Sequence, residues 1–348
     1  MMNLKPDGIA ELEHRAYFLR PAQPRTVIVA AAEGGQLSIV TLGSATERVD
    51  GLPGKIRGVA LHPSHGRLAL IDGTTGSLVV QDYAGNRLFD TDPPQVDYDT
   101  PTWIKPGFEA CLFDDSGEFL WLAAPRSGEE CEIQLLETAG WSLVARITAE
   151  DPFCGSSYSF HHTGRQGLVS IWLAAGQDGQ QVYWLNRDGK QFSCVSEPHL
   201  TNTIPPVFSP RGERVAVINE DNAVCQYEFP SMRRIGSPLI SGEEDDPFQV
   251  SLAFLSESQI LAGTGNGRIF IVDARRMRIE DELALEGHDP KPIGVYYPRL
   301  AHEPGIGTDI SYFERLGDAI FFVCRRGRVP GTTEWKDTLL WLTAKPRD

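Results

Sequence analysis

Phe208-Ser209-Pro210-Arg211-Gly212, followed by Glu213-Arg214-Val215-Ala216-Val217-Ile218, is the stretch that decides the fold. An apolar residue runs into a Ser-Pro-x-Gly turn, and a short apolar run leaves it. Ser and Pro preset a turn and Gly supplies backbone freedom. The run Val215-Ala216-Val217-Ile218 is continuous rather than alternating, the mark of a strand covered on both faces. Glu220-Asp221-Asn222 then offers hairpin chemistry, and Val224-Cys225-Gln226-Tyr227 follows as a third strand.

The same order recurs along the chain. The first turn of each copy falls near Pro24, Gly66, Gly117, Gly164, Gly212, Ser258 and Gly317. The gaps are roughly 45 to 50 residues, shorter for the first and longer for the last, which suits a four-stranded propeller blade. Second strands such as Arg67-Leu68-Ala69-Leu70-Ile71 and Glu118-Phe119-Leu120-Trp121-Leu122 repeat the buried run, and no long window has helical periodicity. The expected fold is all-β: a seven-bladed β-propeller of four-stranded antiparallel blades, one domain over 1–348. Its blades are expected near 15–50, 55–92, 107–150, 156–197, 202–241, 247–287 and 308–345. The last copy has no outer strand of its own, so residues 9–14 are expected to close it, because an open sheet edge is costly.

The sixth copy resembles a WD40-type repeat. Leu285-Glu286-Gly287-His288 stands where that family has its Gly-His, and Val272-Asp273 replaces its Trp-Asp. Gln81-Asp82 and Leu185-Asn186 are weaker echoes, and the Phe208 turn is one that WD40-like and other bacterial propellers share. The resemblance covers nearly the whole chain and implies a rigid platform for protein partners.

Composition narrows the function. The net charge is −15, which weighs against a nucleic-acid or anionic-membrane surface and favours basic partners. No apolar run is long enough to span a membrane, and Met1-Met2-Asn3-Leu4-Lys5-Pro6-Asp7-Gly8 lacks the apolar core of a secretory signal, so a cytoplasmic location is expected. The six cysteines are scattered without metal-ligand spacing, and Cys225 and Cys324 read as buried free thiols.

The candidate chemistry is thin. His161 and His162 are neighbours on a strand and point to opposite faces, so they cannot chelate one metal together; they align with the Ser-Pro slot of the Phe208 turn. Glu243-Glu244-Asp245-Asp246 lacks the alternate-residue spacing of a calcium loop and reads as a solvated acidic connection. Gly263-Thr264-Gly265-Asn266-Gly267 is a hairpin rather than a dinucleotide fingerprint, because a strand follows it. Arg275-Arg276-Met277-Arg278 and Arg325-Arg326-Gly327-Arg328 are expected on connections between strands, as solvated basic spots. No catalytic residue, metal or cofactor is expected.

Two connections are long for an all-β array. One runs from Thr91 to Pro106 and the other from His288 to Thr308. They carry Tyr98, Trp103, Tyr296, Tyr297 and Arg299, residue types that dominate interface hot spots. The expected function is therefore a non-catalytic interaction scaffold or adaptor within a larger assembly, with these five residues on the partner. The alternative is a propeller enzyme, or a protein that binds a metal or small molecule in the central channel. It needs ligands on the first strands, where His62 and the His161-His162 pair are the ones on offer. An adaptor or immunity factor of a bacterial conflict system is a third reading, by analogy alone.

Overall fold

The computed structural model describes the chain apart from residues 1, 13–17, 24–25, 32–35, 42–45, 50, 64–65, 97–105, 152–156, 164, 175–179, 198–205, 243–245, 266–267, 286–309, 317–318, 329–334 and 344–348. Every regular element among the described residues is a strand. At the N-terminus these are β1 (Met2–Leu4), β2 (Gly8–Glu11), β3 (Phe18–Gln23), β4 (Thr26–Ala31), β5 (Gln36–Thr41) and β6 (Thr46–Arg48). Then come β7 (Ile56–Leu61), β8 (Arg67–Asp72), β9 (Leu78–Asp82), β10 (Arg87–Thr91), β11 (Ala110–Phe113), β12 (Phe119–Pro125), β13 (Glu130–Glu137) and β14 (Ser142–Glu150). The middle of the chain holds β15 (Ser157–His162), β16 (Leu168–Ala174), β17 (Gln180–Asp188), β18 (Gln191–Glu197), β19 (Val207–Phe208), β20 (Arg214–Ile218), β21 (Val224–Glu228) and β22 (Arg234–Leu239). The last are β23 (Phe248–Ser256), β24 (Gln259–Thr264), β25 (Ile269–Asp273), β26 (Arg278–Leu285), β27 (Ile310–Leu316), β28 (Ala319–Arg328) and β29 (Trp335–Thr343).

The chain forms two compact units. One comprises Met1–Leu19, Val40–Thr46 and Asn202–Asp348, and the other Arg20–Ile39 and Glu47–Thr201. The second unit holds three antiparallel sheets, β7–β10, β11–β14 and β15–β18, each a meander in chain order. The first holds β19–β22, then β23–β26, then β27–β29 with β2. Within each unit the first strands neighbour one another: β7 meets β11 and β11 meets β15, while β19 meets β23 and β23 meets β27. Sheets stacked along their first strands are blades of the propeller type.

The buried second strands explain this stacking. All seven residues of β12, Phe119-Leu120-Trp121-Leu122-Ala123-Ala124-Pro125, are buried. Successive side chains of a strand leave opposite faces. Phe119, Trp121 and Ala123 accordingly pack with Tyr158, Phe160 and Ile171 of the following sheet. Leu120, Leu122 and Ala124 pack with Ala69, Ile71 and Val80 of the preceding one. Fourth strands such as β22 are amphipathic or exposed, as suits the outer edge of a sheet.

The expected seven equivalent four-stranded blades need correction. Six sheets are self-contained blades, three to a unit, and five of them have four strands while β23–β26 gains a fifth, β1. The seventh set, β3–β6, is ordered as a four-stranded sheet whose last strand has only three residues, and it does not count as a further blade. Turn spacing counts copies of a signature; it does not say whether each copy packs as an independent blade. The closing strand is present, with Gly8↔Trp341 to Glu11↔Thr338 joining β2 to β29. The basic spot Arg325–Arg328 lies within β28, not on a connection, whereas Arg275 and Arg276 do occupy the β25–β26 turn.

Candidate functional site

The turn after each first strand is where sheets grip each other. In four blades the residue closing that strand donates its backbone N–H to a carbonyl five residues on or binds it by its side chain. The pairs are His62 N to Arg67 O (3.0 Å), Asp114 N to Phe119 O (2.9 Å), Thr163 Oγ1 to Leu168 O (2.9 Å) and Ser209 N to Arg214 O (2.9 Å). All four closing residues are polar and buried. Thr163, not the His161-His162 pair, therefore fills the slot of Ser209, a correction of two positions to the alignment from spacing.

The β11–β12 turn is held from both sides. Asp114 accepts from Ser116 Oγ at 2.9 and 3.0 Å and from the Phe119 N–H at 3.1 Å. Arg187, near the end of β17 in the following sheet, donates Nη2 to Asp114 Oδ2 at 2.8 Å and lies 4.3 Å over the Phe119 ring. From the preceding sheet, His62 places Nε2 3.0 Å from the Gly117 carbonyl and its ring edge-on to Phe113. His162 pairs through Nδ1 with Asp115 Oδ1 at 2.9 Å.

The first unit repeats the device with other residues. Glu257, in the β23–β24 turn, accepts from the Arg211 N–H at 2.6 Å and pairs with Arg214 Nη2 at 2.9 Å. Arg315 of β27 donates to the Phe254 and Leu255 carbonyls at 2.7 and 3.2 Å from the other side. Sequence reading missed Asp114, Arg187, Arg214, Glu257 and Arg315 altogether. The available signal was a recurring polar residue one step after each first strand.

At the other ends of the first strands the polar groups are also engaged. Tyr158 donates its hydroxyl to the buried Asp151 at 2.7 Å, and burial pushes the phenol well above its ordinary range. Arg57 bonds Glu109 at 2.8 Å. Arg268 spans Glu282 at 2.9 Å and the buried Asp246 at 3.8 Å while stacking on Phe270.

The sequence-predicted residues fare differently. His161 and His162 do face opposite ways: His161 Nε2 meets Ser159 Oγ at 2.9 Å on its own strand, whereas His162 reaches Asp115. The stretch at Gly263 does join two strands, β24 and β25, across the hydrogen bond from Thr264 N to Arg268 O. Cys225 is a buried cysteine outside any disulfide, as are Cys111 and Cys131. Tyr98, Trp103, Tyr296, Tyr297 and Arg299 lie outside the described residues, as do Glu243–Asp245 and the Gly287-His288 pair. Among the described residues no group of three or more His, Cys, Asp or Glu is placed to hold a metal ion.

Asp115 carries a pH signature. Its hydrogen bond from His162 holds its carboxyl below the usual 3.8. A depressed folded-state pKa contributes stability that is present above the unfolded value and lost as pH falls through the folded one. The stability difference between the native chain and Asp115→Asn is therefore expected to shrink as pH falls through the carboxylate range and to vanish below Asp115's folded-state pKa. With Asp115 47 % exposed the difference will be small, and urea unfolding at a series of pH values measures it; a difference unchanged down to pH 2 sinks the assignment.

No protein-family model matches this chain, and no curated protein matches it. The WD40 identity is accordingly withdrawn. Asp273, taken as the Asp of a Trp-Asp pair, caps its own turn by accepting from the Arg275 and Arg276 N–H groups at 2.8 and 3.0 Å. Asp82 does the same for Asn86 at 2.8 Å. An Asp ending a third strand serves any tight turn and does not single out one family.

Proposed function

We propose that the protein is a non-catalytic interaction platform whose partner contacts lie on its two long connections. One observation carries the reading: polar side chains at the turns after the first strands clamp neighbouring sheets together. Asp114 with Arg187 and Glu257 with Arg214 are spent in this way. Such clamps stiffen a frame, and a stiff frame lowers the entropic cost of presenting loops to a partner. The connections leave β10 and β26, outer strands, and return at β11 and β27, first strands of the next sheet. They carry Tyr98 and Trp103, and Tyr296, Tyr297 and Arg299. Aromatic and Arg side chains bury large area for few rotors, and the charge of −15 favours a basic protein partner.

The test is purification of the tagged chain from its host with whatever co-elutes in stoichiometric amount. Alanine at Trp103 together with Tyr296 is expected to weaken that complex by at least about tenfold, roughly 1.4 kcal/mol, without lowering the unfolding midpoint. A complex indifferent to alanine at all five positions overturns the placement. A chain that elutes alone and binds a metal or small molecule overturns the platform reading itself.

A further inference from the structure

β14 is the longest fourth strand among the described residues, with nine residues from Ser142 to Glu150. Its outer edge lacks the devices that guard others. β10 has five residues and a break in register between Arg87 and Phe89. β22 contains Gly236 at φ +66° and Pro238, and β26 is covered by β1. Short length, bulges, Pro and a covering strand are the usual means of discouraging edge pairing. β14 contains neither Gly nor Pro, and its one shift of register, opposite Leu135 and Leu136, leaves 145–150 regular.

Two backbone hydrogen bonds fix which groups of β14 face outward. Thr138 N donates to Glu118 O at 2.9 Å, so the even-numbered residues of β13 bond β12. Asp151 N donates to Glu129 O at 2.7 Å, so the odd-numbered residues of β13 bond β14, at Ala145, Ile147 and Ala149. Bonding direction alternates along an antiparallel ladder. The N–H and C=O groups of Arg146, Thr148 and Glu150 therefore point off the sheet. The Glu150 carbonyl agrees, since it accepts the Tyr183 hydroxyl at 2.6 Å. Among the described residues no strand pairs with this edge.

We propose that a second copy of this chain docks on this edge, β14 against β14, antiparallel about a twofold axis at Thr148. Self-complementary charge selects that occupant and that register. A twofold contact sets each residue against its counterpart across the axis. Thr148 then faces Thr148 of the second copy, and Arg146 faces Glu150 twice over, giving two cross-strand pairs of opposite charge. An axis at Arg146 would set like charges together. Arg146 is 54 % exposed and touches Glu132 through Nε alone, at 3.5 Å, so its remaining N–H groups can take a second carboxylate. Glu150 is exposed and has no ion-pair partner among the described residues. Its carbonyl keeps a second lone pair beside Tyr183 for the incoming Arg146 N–H. β18, the next longest uncovered fourth strand, holds one charged residue, Glu197, and offers its own copy no opposite charge. The edge is distinct from the long connections, so it goes beyond the platform reading, and neither test decides the other.

Sedimentation equilibrium of the full chain over a concentration series reads the dimer. The native chain is expected to dimerise. Glu150→Arg, at an exposed position with no partner to lose, is expected to weaken the dimer at least about tenfold, because arginine then faces arginine in both pairs. Arg146→Glu should do the same by setting glutamate against glutamate. Both changes together exchange the charges and should return the affinity to within about threefold of native. A native chain that stays monomeric throughout, single changes without effect, or a folded double variant that fails to recover overturns the proposal. Should the double variant not fold, hydrogen exchange on the native chain decides. The outward amides of Arg146 and Thr148 are expected to gain protection as concentration rises through dimerisation, while those of Ala145 and Ile147, already bonded to β13, stay as they are. Unchanged exchange at Arg146 and Thr148 overturns the proposal, and a dimer formed through another edge gives that result.

Discussion

Asp114→Ala is expected to destabilise the protein by about 3–5 kcal/mol, the cost of breaking a buried ion pair from one side. Asp114 is 4 % exposed and Arg187 11 %, so neither charge is offered much water. Removing the carboxylate leaves the guanidinium beside Phe119 with the Gly189 carbonyl at 3.0 Å as a remaining acceptor. It also frees the Phe119 N–H and the Ser116 hydroxyl, both of which point at Asp114. Most of the penalty comes from the orphaned Arg187, not from the pair's net worth. The double variant Asp114→Ala with Arg187→Met should therefore recover a substantial part, since Met keeps the apolar contact without the charge. Urea unfolding of the two single variants and the double one measures this. A cost for Asp114→Ala below about 1 kcal/mol, the range of surface pairs, would mean the latch is solvent-screened.

That latch was invisible in the sequence for a physical reason. Asp114 and Arg187 are separated by 73 residues, and nothing local to either reports the other. What was legible was local: the Ser-Pro-x-Gly turn at Ser209, the unbroken apolar run of β12, and hairpins such as Gly263–Gly267. Each follows from backbone sterics or from burial on both faces. The closing strand could also be anticipated, because the last copy lacked a fourth strand. Its Gly8 shows why that place is strict: a Cβ there would come 1.9 Å from the Trp341 indole. β1 left no signal, since three residues cannot display a period. The blade count failed because turn spacing counts copies of a signature and not independent blades. His161 and His162 were read correctly as facing apart and misaligned by two residues, an error that only the closing hydrogen bond of Thr163 exposes.

Gly107→Val is expected to cost about 3–5 kcal/mol, by summing backbone strain and overlap. Gly107 has φ +132°, a conformation that side-chain-bearing residues rarely adopt. A Cβ at that position would also stand 2.5 Å from the Gly76 Cα and 3.2 Å from the Arg57 guanidinium. The Gly76 side is backbone and cannot swing away. The two glycines meet because the β8–β9 hairpin, through Gly76 O, accepts the Phe108 N–H at 2.9 Å. Phe108 is 1 % exposed and anchors the point where the first long connection enters β11. A valine must push the hairpin and this anchor apart, and it has no cheaper way out. Gly140→Ala is the control, since nothing lies within 4 Å of its added Cβ, and its effect should stay within about 0.5 kcal/mol. Thermal unfolding of the pair measures the difference, and equal midpoints would remove the close approach from the account. The same variant bears on function. Because Tyr98 and Trp103 lie on the connection that Phe108 anchors, Gly107→Val should weaken partner binding even at temperatures where the chain remains folded. Undiminished binding by a folded but destabilised Gly107→Val would separate the partner site from this anchor and move it to the Tyr296–Arg299 connection.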